Sequence, residues 1–119
     1  MTRDHPGVLG LRIRREKVVD YLLDPTHPRG GSKAAFLMRF GFAASQPERL
    51  ADALSRHFAE APHTRTTIDA VGATRIICEG PLHGLDGRAP TIRSVWLIEP
   101  DRYARLLTIV PRPRGVGRT

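Results

Sequence analysis

A glycine-rich segment, DPTHPRGGSKAAF, holds the side chains best suited to chemistry. Gly30 and Gly31 allow a backbone to approach a ligand closely, and Ser32 is placed to cap a following helix. The first N–H groups of a helix bind anions, and Arg29 and Lys33 add positive charge at the same end. The segment therefore predicts a phosphate-binding loop.

His27 lies at the other end of this loop, and an imidazole is suited to transfer a proton beside a bound phosphate. The alternative is an ordinary connection between two helices that uses proline and glycine for its turn. The G-x-x-x-x-G-K-[ST] spacing of a P-loop is absent. The pattern alone leaves both interpretations open.

Two further candidates lie near the C-terminus, in segments typical of strands. In TIRSVWLIE, Arg93 stands in mid-strand among apolar residues and therefore needs a partner or a ligand. In RLLTIVP, Thr108 is a polar residue in an otherwise apolar strand. An acidic partner near a sheet edge would also explain Arg93, and threonine is common in strands.

The other histidines and the cysteine predict no further chemistry. His5 falls in the N-terminal segment, and His63 and His83 fall in loops. Helical spacing predicts that His57 lies on the solvent side of a helix. No two histidines have metal-ligand spacing with a nearby Cys, Asp or Glu, so we expect no metal and no cofactor. Cys78 lies in a strand and is expected to be a buried, unreactive thiol.

Length and composition indicate one domain. Residues 1–111 of the 119 are predicted to fold together, and the Pro-, Gly- and Arg-rich residues 112–119 to form a flexible tail. No apolar run approaches the roughly 20 residues of a membrane span. We recognise no signal peptide either, so we expect a cytoplasmic protein without a membrane partner.

The charge of the chain is strongly basic. The net charge is +7, with 17 Arg and 2 Lys against 12 acidic residues. A balance of this kind suits a polyanionic partner such as nucleic acid or an acidic protein. The bias towards arginine, alanine, glycine and proline is also what a GC-rich genome produces. The charge alone therefore does not decide whether the protein has a polyanionic partner.

Three helices and about four strands are expected to position these candidates. Apolar spacing predicts helices over residues 16–23, from Ser32 to Gly41, and from a capping box at Ser45–Glu48 to Pro62. Strands are predicted over residues 66–71, 75–79, 91–99 and 104–110, with a short one over residues 9–13. The order is typical of an α+β fold, with three N-terminal helices packed on one face of a curved antiparallel sheet of about four strands.

Three runs, KVVDYLLDPTHPRGGSKAAFLMRFGF, EGPLHGLDGRAPTIRSVWLIE and RLLTIVP, resemble a small bacterial domain family of unknown function. Its members are often labelled "adhesin" and occur beside a small partner gene or as C-terminal modules of polymorphic toxins. The resemblance covers roughly residues 14–111. The family is similar to the barnase/EndoU/colicin/RelE-type ribonuclease superfold, in which N-terminal helices pack on a curved antiparallel sheet.

The resemblance implies a toxin-type RNA-cleaving domain that needs no metal, together with a small antitoxin or immunity partner. Two departures concern Ile76, where relatives tend to have an aromatic residue, and Val110, where they tend to have tyrosine. Neither a secretion signal nor a repeat supports the adhesin label. The positions that the resemblance carries over are His27, Gly30, Lys33, Arg75, Arg93 and Thr108.

Two functions from different classes follow. In an endoribonuclease, the 2′-hydroxyl would attack the adjacent phosphate, with His27 as general base or acid. Lys33 and Arg93 would stabilise the developing charge. Thr108 would bind a phosphate oxygen, and Arg75 would position the RNA backbone. The alternative, favoured by the absent tyrosine, is a non-catalytic module that binds RNA or a protein partner. The kind of RNA (tRNA, mRNA or rRNA) and the oligomeric state do not follow from the sequence.

Overall fold

The computed structural model describes residues 7–112, so residues 1–6, with His5, and most of the predicted tail lie outside it. The described residues form an α+β fold with three helices and five strands, in agreement with the predicted class. The elements are β1 (Gly10–Arg12), α1 (Arg15–Lys17), which continues as a π-helix (Val18–Leu22), α2 (Gly31–Met38), α3 (Pro47–Glu60), β2 (His63–Ile68), β3 (Thr74–Pro81), β4 (Thr91–Ile98) and β5 (Tyr103–Pro111).

The strands form a single sheet in the order β1-β5-β4-β3-β2. Strands β2 to β5 pair antiparallel with their neighbours, as predicted. The short strand β1 adds a fifth member and pairs parallel with β5, with Gly10 opposite Tyr103. The sheet is therefore mixed rather than purely antiparallel. A parallel pair needs a long connection, and here the helices and the other strands supply it.

The two faces of the sheet differ in burial. One face is the core face, because alternate residues of β3, β4 and β5 are buried with the helices in one cluster; they include Ile76, Cys78, Ile92, Trp96, Ala104, Leu106 and Ile109. The other face, called here the open face, carries the residues that alternate with them. Apolar residues on this face, among them Ile77, Val95 and Leu97, do not belong to the core cluster.

The helix predicted over residues 16–23 exists, but most of it has π geometry. The N–H of Leu23 donates to the carbonyl of Val18 at 2.8 Å, five residues back. This wider winding keeps Val18, Leu22 and Leu23 buried at 0–3% exposure. Apolar spacing predicts that a helix is present but does not distinguish this winding from the α form.

Two predicted helix caps are wrong. Helix α2 begins at Gly31 with Gly30 as the N-cap, so Ser32 lies inside the first turn and does not cap it. Helix α3 begins at Pro47 with Gln46 as the N-cap, and no side chain caps it, so the capping box at Ser45 does not form. Helix α3 instead begins with a proline, which has no N–H group that would need a hydrogen-bond acceptor.

The prediction for His57 is also wrong, because this side chain is fully buried. Its Nδ1 lies 3.1 Å from the carbonyl of Pro81 and its Nε2 lies 2.8 Å from Ser94 Oγ. Trp96 Nε1 donates to the same hydroxyl at 2.8 Å. His57 follows Leu50 by seven residues and Leu54 by three, which is the spacing of the buried stripe itself. Burial lowers the pKa of His57, although the contact with Pro81 acts against this.

Candidate functional site

Lys33 joins three elements at one point. Its Nζ donates to Thr108 Oγ1 of β5 at 2.6 Å and to the Tyr21 hydroxyl of the π-helix at 2.9 Å. An ammonium group has three N–H donors, so one donor remains for a ligand. The structure therefore brings together two of the predicted residues, Lys33 and Thr108, which are 75 positions apart in the sequence.

Tyr21 is a central member of this cluster that the sequence analysis missed. The hydrogen bond from Lys33 is the main reason why its pKa is lowered; partial burial acts the other way. The ammonium groups of Lys17 and Lys33 also lie 4.8 and 5.2 Å from the centre of its ring. The available signal was a polar-tipped aromatic residue inside an apolar helical stripe, in the run VVDYLL.

His27 packs its ring edge against Tyr21, with ring centres 4.9 Å apart and an interplanar angle of 89°. Its Nδ1 accepts hydrogen bonds from the backbone N–H groups of Arg29 and Gly30, both at 3.0 Å. Because Nδ1 acts as an acceptor, the proton of the neutral ring lies on Nε2. His27 therefore presents a hydrogen-bond donor to its surroundings. We call Tyr21, His27, Lys33 and Thr108 the junction cluster.

The loop glycines serve close packing within the chain. A Cβ on Gly30 would lie 2.6 Å from the Tyr21 carbonyl oxygen, and one on Gly31 would lie 2.6 Å from that of Pro25. The N–H of Gly31 donates to the His27 carbonyl at 2.9 Å. The backbone donors of residues 29–31 are thus already bonded inside the loop, which weakens the case for a phosphate cradle there. Arg29 and Ser32 are exposed beside it.

Arg93 lies on the same open face as Thr108 but has its own partner. It stands opposite Glu79 in the sheet, and its Nε donates to Glu79 Oε2 at 2.6 Å. Arg112, the first residue of the predicted tail, donates to the same oxygen at 2.9 Å. Since Thr108 pairs with Val95, Arg93 and Thr108 are diagonal neighbours, roughly 7–8 Å apart between backbones.

Arg75 is not brought to the junction cluster. It stands opposite Leu97, two strands away from Thr108, and its guanidinium lies 3.4 Å from an Asp69 carboxylate oxygen. The two residues that differ from those implied by the family resemblance lie on different faces of the sheet. Ile76 is buried in the core, whereas Val110 is 38% exposed and stands opposite Arg93 on the open face.

The described residues contain no group of three or more His, Cys, Asp or Glu placed to hold a metal ion. Cys78 is fully buried, and burial raises the pKa of its thiol. Within residues 7–112, no helix is long and apolar enough to cross a membrane.

Comparisons with known proteins give a similar solved structure and a family. The fold is similar to a chain of the solved "Contact-dependent growth inhibition toxin - immunity protein complex from Klebsiella pneumoniae 342", with a TM-score of 0.67, 22% identity, and coverage of 84% of this chain and 98% of that chain. No curated protein matches the chain. Residues 6–113 match the family described as "Domain of unknown function (DUF6883)". Because this match spans nearly the whole sequence, the chain belongs to the DUF6883 family.

Proposed function

We propose that this chain is a toxin-like domain that cleaves RNA without a metal ion and is neutralised by a small partner protein. The observation that carries the proposal is the junction cluster, in which Lys33 bonds both Tyr21 and Thr108 beside the His27 ring. The fold, shared with a chain from a toxin–immunity complex, supports the toxin-like part.

In the proposed reaction the 2′-oxygen of a ribose bonds to the adjacent phosphorus while the bond to the 5′-oxygen of the next nucleotide breaks. Tyr21 in its ionised form, which Lys33 favours, takes the 2′-hydroxyl proton, and the departing 5′-oxygen takes up a proton from water. The remaining Lys33 donor stabilises the charge that develops on the phosphate oxygens. His27 donates from Nε2 to one of those oxygens, a role that suits its proton arrangement better than that of general base.

Thr108 has a positioning role in this proposal. Its hydroxyl accepts from Lys33 and also lies 3.2 Å from the Ile109 carbonyl, to which it donates. The hydroxyl is therefore already used in orienting Lys33. Arg93 and Arg112 flank the cluster on the open face and would hold neighbouring phosphates of the RNA.

A second candidate is a non-catalytic module that binds its partner protein through the same face. Two points favour it. Glu79 already occupies the guanidinium of Arg93, and the resemblance described above implies tyrosine at the position of Val110.

Incubation of the purified chain with total RNA in EDTA distinguishes the nuclease from the non-catalytic binding module. The unmodified chain is expected to cleave RNA, and Tyr21→Phe and Lys33→Met are each expected to lower the rate by roughly 10²–10⁴-fold. Tyr103→Phe is the matched control, since Tyr103 is exposed and contacts Arg12 instead.

Intact RNA with the unmodified chain would remove the catalytic proposal in favour of the binding module. Equal rates for Tyr21→Phe and Tyr103→Phe would place the chemistry outside the junction cluster.

A further inference from the structure

The open face has a depression of about 240 Å³ between β2 and β3. Pro62, Thr64, Arg65, Ile77 and Glu79 line it. Pro62 and Ile77 supply apolar surface, while Arg65 and Glu79 supply opposite charges. A small pocket with an apolar wall and a few convergent polar groups is the usual form of a ligand site.

Glu79 keeps one carboxylate oxygen free for this pocket. The hydrogen bonds from Arg93 and Arg112 end on Oε2, and none of the described residues donates to Oε1. Partial burial raises the pKa of Glu79, but the Arg93 hydrogen bond and the charges of Arg93, Arg112 and Arg65 lower it further than burial raises it. The carboxylate is therefore ionised at neutral pH, and Oε1 is a strong acceptor.

Arg65 is the matching donor. Its side chain is exposed and makes no hydrogen bond or ion pair with another residue in the described part of the chain. It nevertheless lies close enough to Glu79 for its charge to lower the pKa of that carboxyl. The pocket thus offers two adjacent guanidinium N–H donors beside a single carboxylate acceptor.

We propose that this pocket binds a guanine base of single-stranded RNA. Guanine presents two neighbouring acceptors, N7 and O6, followed by the N1–H donor. A guanidinium bonds N7 and O6 together, which leaves N1–H facing Glu79 Oε1. Adenine would turn its N6 donor towards Arg65, and uracil has an N3–H donor between its two carbonyl acceptors. Cytosine presents O2 and N3 beside its N4 donor, so the larger ring system of guanine, which covers more of Ile77, decides between these two bases. Ile77 would contact the plane of the base.

The inference rests on the proposed function for the identity of the substrate, and it adds base selection to it. Strands β3 and β5 are two strand spacings apart, about 10 Å. Glu79 also bonds Arg112 and Arg93, and Arg93 lies on β4 between the pocket and Thr108. A short stretch of RNA therefore spans the distance from a bound guanine to the phosphate at Lys33.

Binding of the four nucleoside 5′-monophosphates, measured by calorimetry on the full chain, tests the pocket. GMP is expected to bind about tenfold more tightly than AMP or UMP, and more tightly than CMP because the larger base covers more of Ile77. Arg65→Met and Glu79→Gln are each expected to abolish that preference. The controls are Arg56→Met and Glu60→Gln, which break an exposed ion pair on α3 and should leave the preference unchanged.

Equal affinity for the four nucleotides would overturn the proposal, as would a guanine preference that survives in Arg65→Met. Arg65 is exposed, so its variant is expected to fold even where Glu79→Gln does not. The outcome is separate from that of the cleavage assay. Selective GMP binding without RNA cleavage would support the guanine pocket and contradict the proposed nuclease activity. RNA cleavage without a base preference would support the nuclease activity and contradict the guanine pocket.

Discussion

At the scale of single residues, His27 has a structural role that can be separated from any chemical one. Its Nδ1 accepts two backbone N–H groups just before α2, as an asparagine oxygen does in a turn of the same kind. Its Nε2 takes no part in this arrangement. The two nitrogens can therefore be tested with different substitutions.

His27→Asn is expected to keep the free energy of unfolding within about 0.5 kcal/mol of the original, because the amide oxygen replaces Nδ1 as acceptor. His27→Ala should lose about 1 kcal/mol, the usual cost of removing such a side chain. Urea denaturation measures both. A loss in His27→Asn as large as in His27→Ala would contradict the role of Nδ1. Both variants lack Nε2 and are expected to lose RNA cleavage alike.

His57 makes stability depend on pH. Its pKa in the folded chain lies below the ordinary value of 6.5 because it is buried. As the pH falls below 6.5, the unfolded chain takes up a proton that the folded chain does not, so the free energy of unfolding falls. It is expected to fall by at most about 1.4 kcal/mol per pH unit. Above pH 6.5 this contribution is complete.

Denaturation of the unmodified chain, His57→Gln and His83→Asn at pH 7.5 and pH 5.5 measures this dependence. The fall should disappear in His57→Gln and persist in His83→Asn, whose ring is partly exposed beside Glu60. The same pH dependence in both variants would show that other groups cause it.

The sequence singled out four residues that lie in or beside the junction cluster and missed Tyr21. Lys33, His27, Arg93 and Thr108 stood out because a polar side chain near apolar or glycine-rich surroundings needs a partner. Tyr21 did not, because an aromatic residue in an apolar stripe is expected in a core. Lys33 meets Thr108 across 75 positions of the sequence. The spacing of neighbouring residues carries no information about a contact over that distance.

At the scale of elements, the loop before α2 is built by close approach of its own backbone. Both Gly30 and Gly31 stand where a Cβ would come within 2.6 Å of a carbonyl oxygen. Glycine spacing predicted a loop at this place but could not show what approaches it. The π-helix escaped prediction for a similar reason, since its apolar residues suit a helix of either winding.

Gly30→Ala and Gly31→Ala are therefore each expected to lower the free energy of unfolding by about 1–3 kcal/mol, because the added methyl group must displace backbone. Ser32→Ala is the control. Its side chain is exposed and caps nothing, so a change below about 0.5 kcal/mol is expected. Thermal or urea unfolding of the three variants gives the comparison. A stable Gly30→Ala would mean that the loop has room to shift away from Tyr21.

At the scale of the whole molecule, the open face carries part of the positive charge. Arginines from all five strands or their ends reach the open face, and they outnumber the carboxylates beside them. Arg93 and Arg112 share Glu79, which leaves a net positive charge there. Arg12 and Arg105 share Glu99, but Asp101 also pairs with Arg12 and balances that group. The net positive charge of the open face therefore lies on the side of Glu79.

Binding of a single-stranded oligoribonucleotide is expected to weaken with salt. If Lys33, Arg93 and Arg112 each neutralise one phosphate, the slope of log affinity against log salt is about −2. Arg112→Met should reduce that slope by about 0.7, whereas Arg65→Met, which faces a base, should change the affinity with little change in slope. Fluorescence anisotropy in a series of NaCl concentrations measures both. Equal slopes in all three proteins would place the phosphates elsewhere.

The contact between Lys33 and Thr108 also has a consequence for the order in which the chain is made. Lys33 leaves the ribosome early, but its partner follows 75 residues later, in the last strand of the sheet. A nascent chain that ends at Leu107 contains Tyr21, His27 and Lys33 and still has no junction cluster. Under the proposed function, the cell that synthesises this domain is exposed to its activity only once translation has passed Thr108.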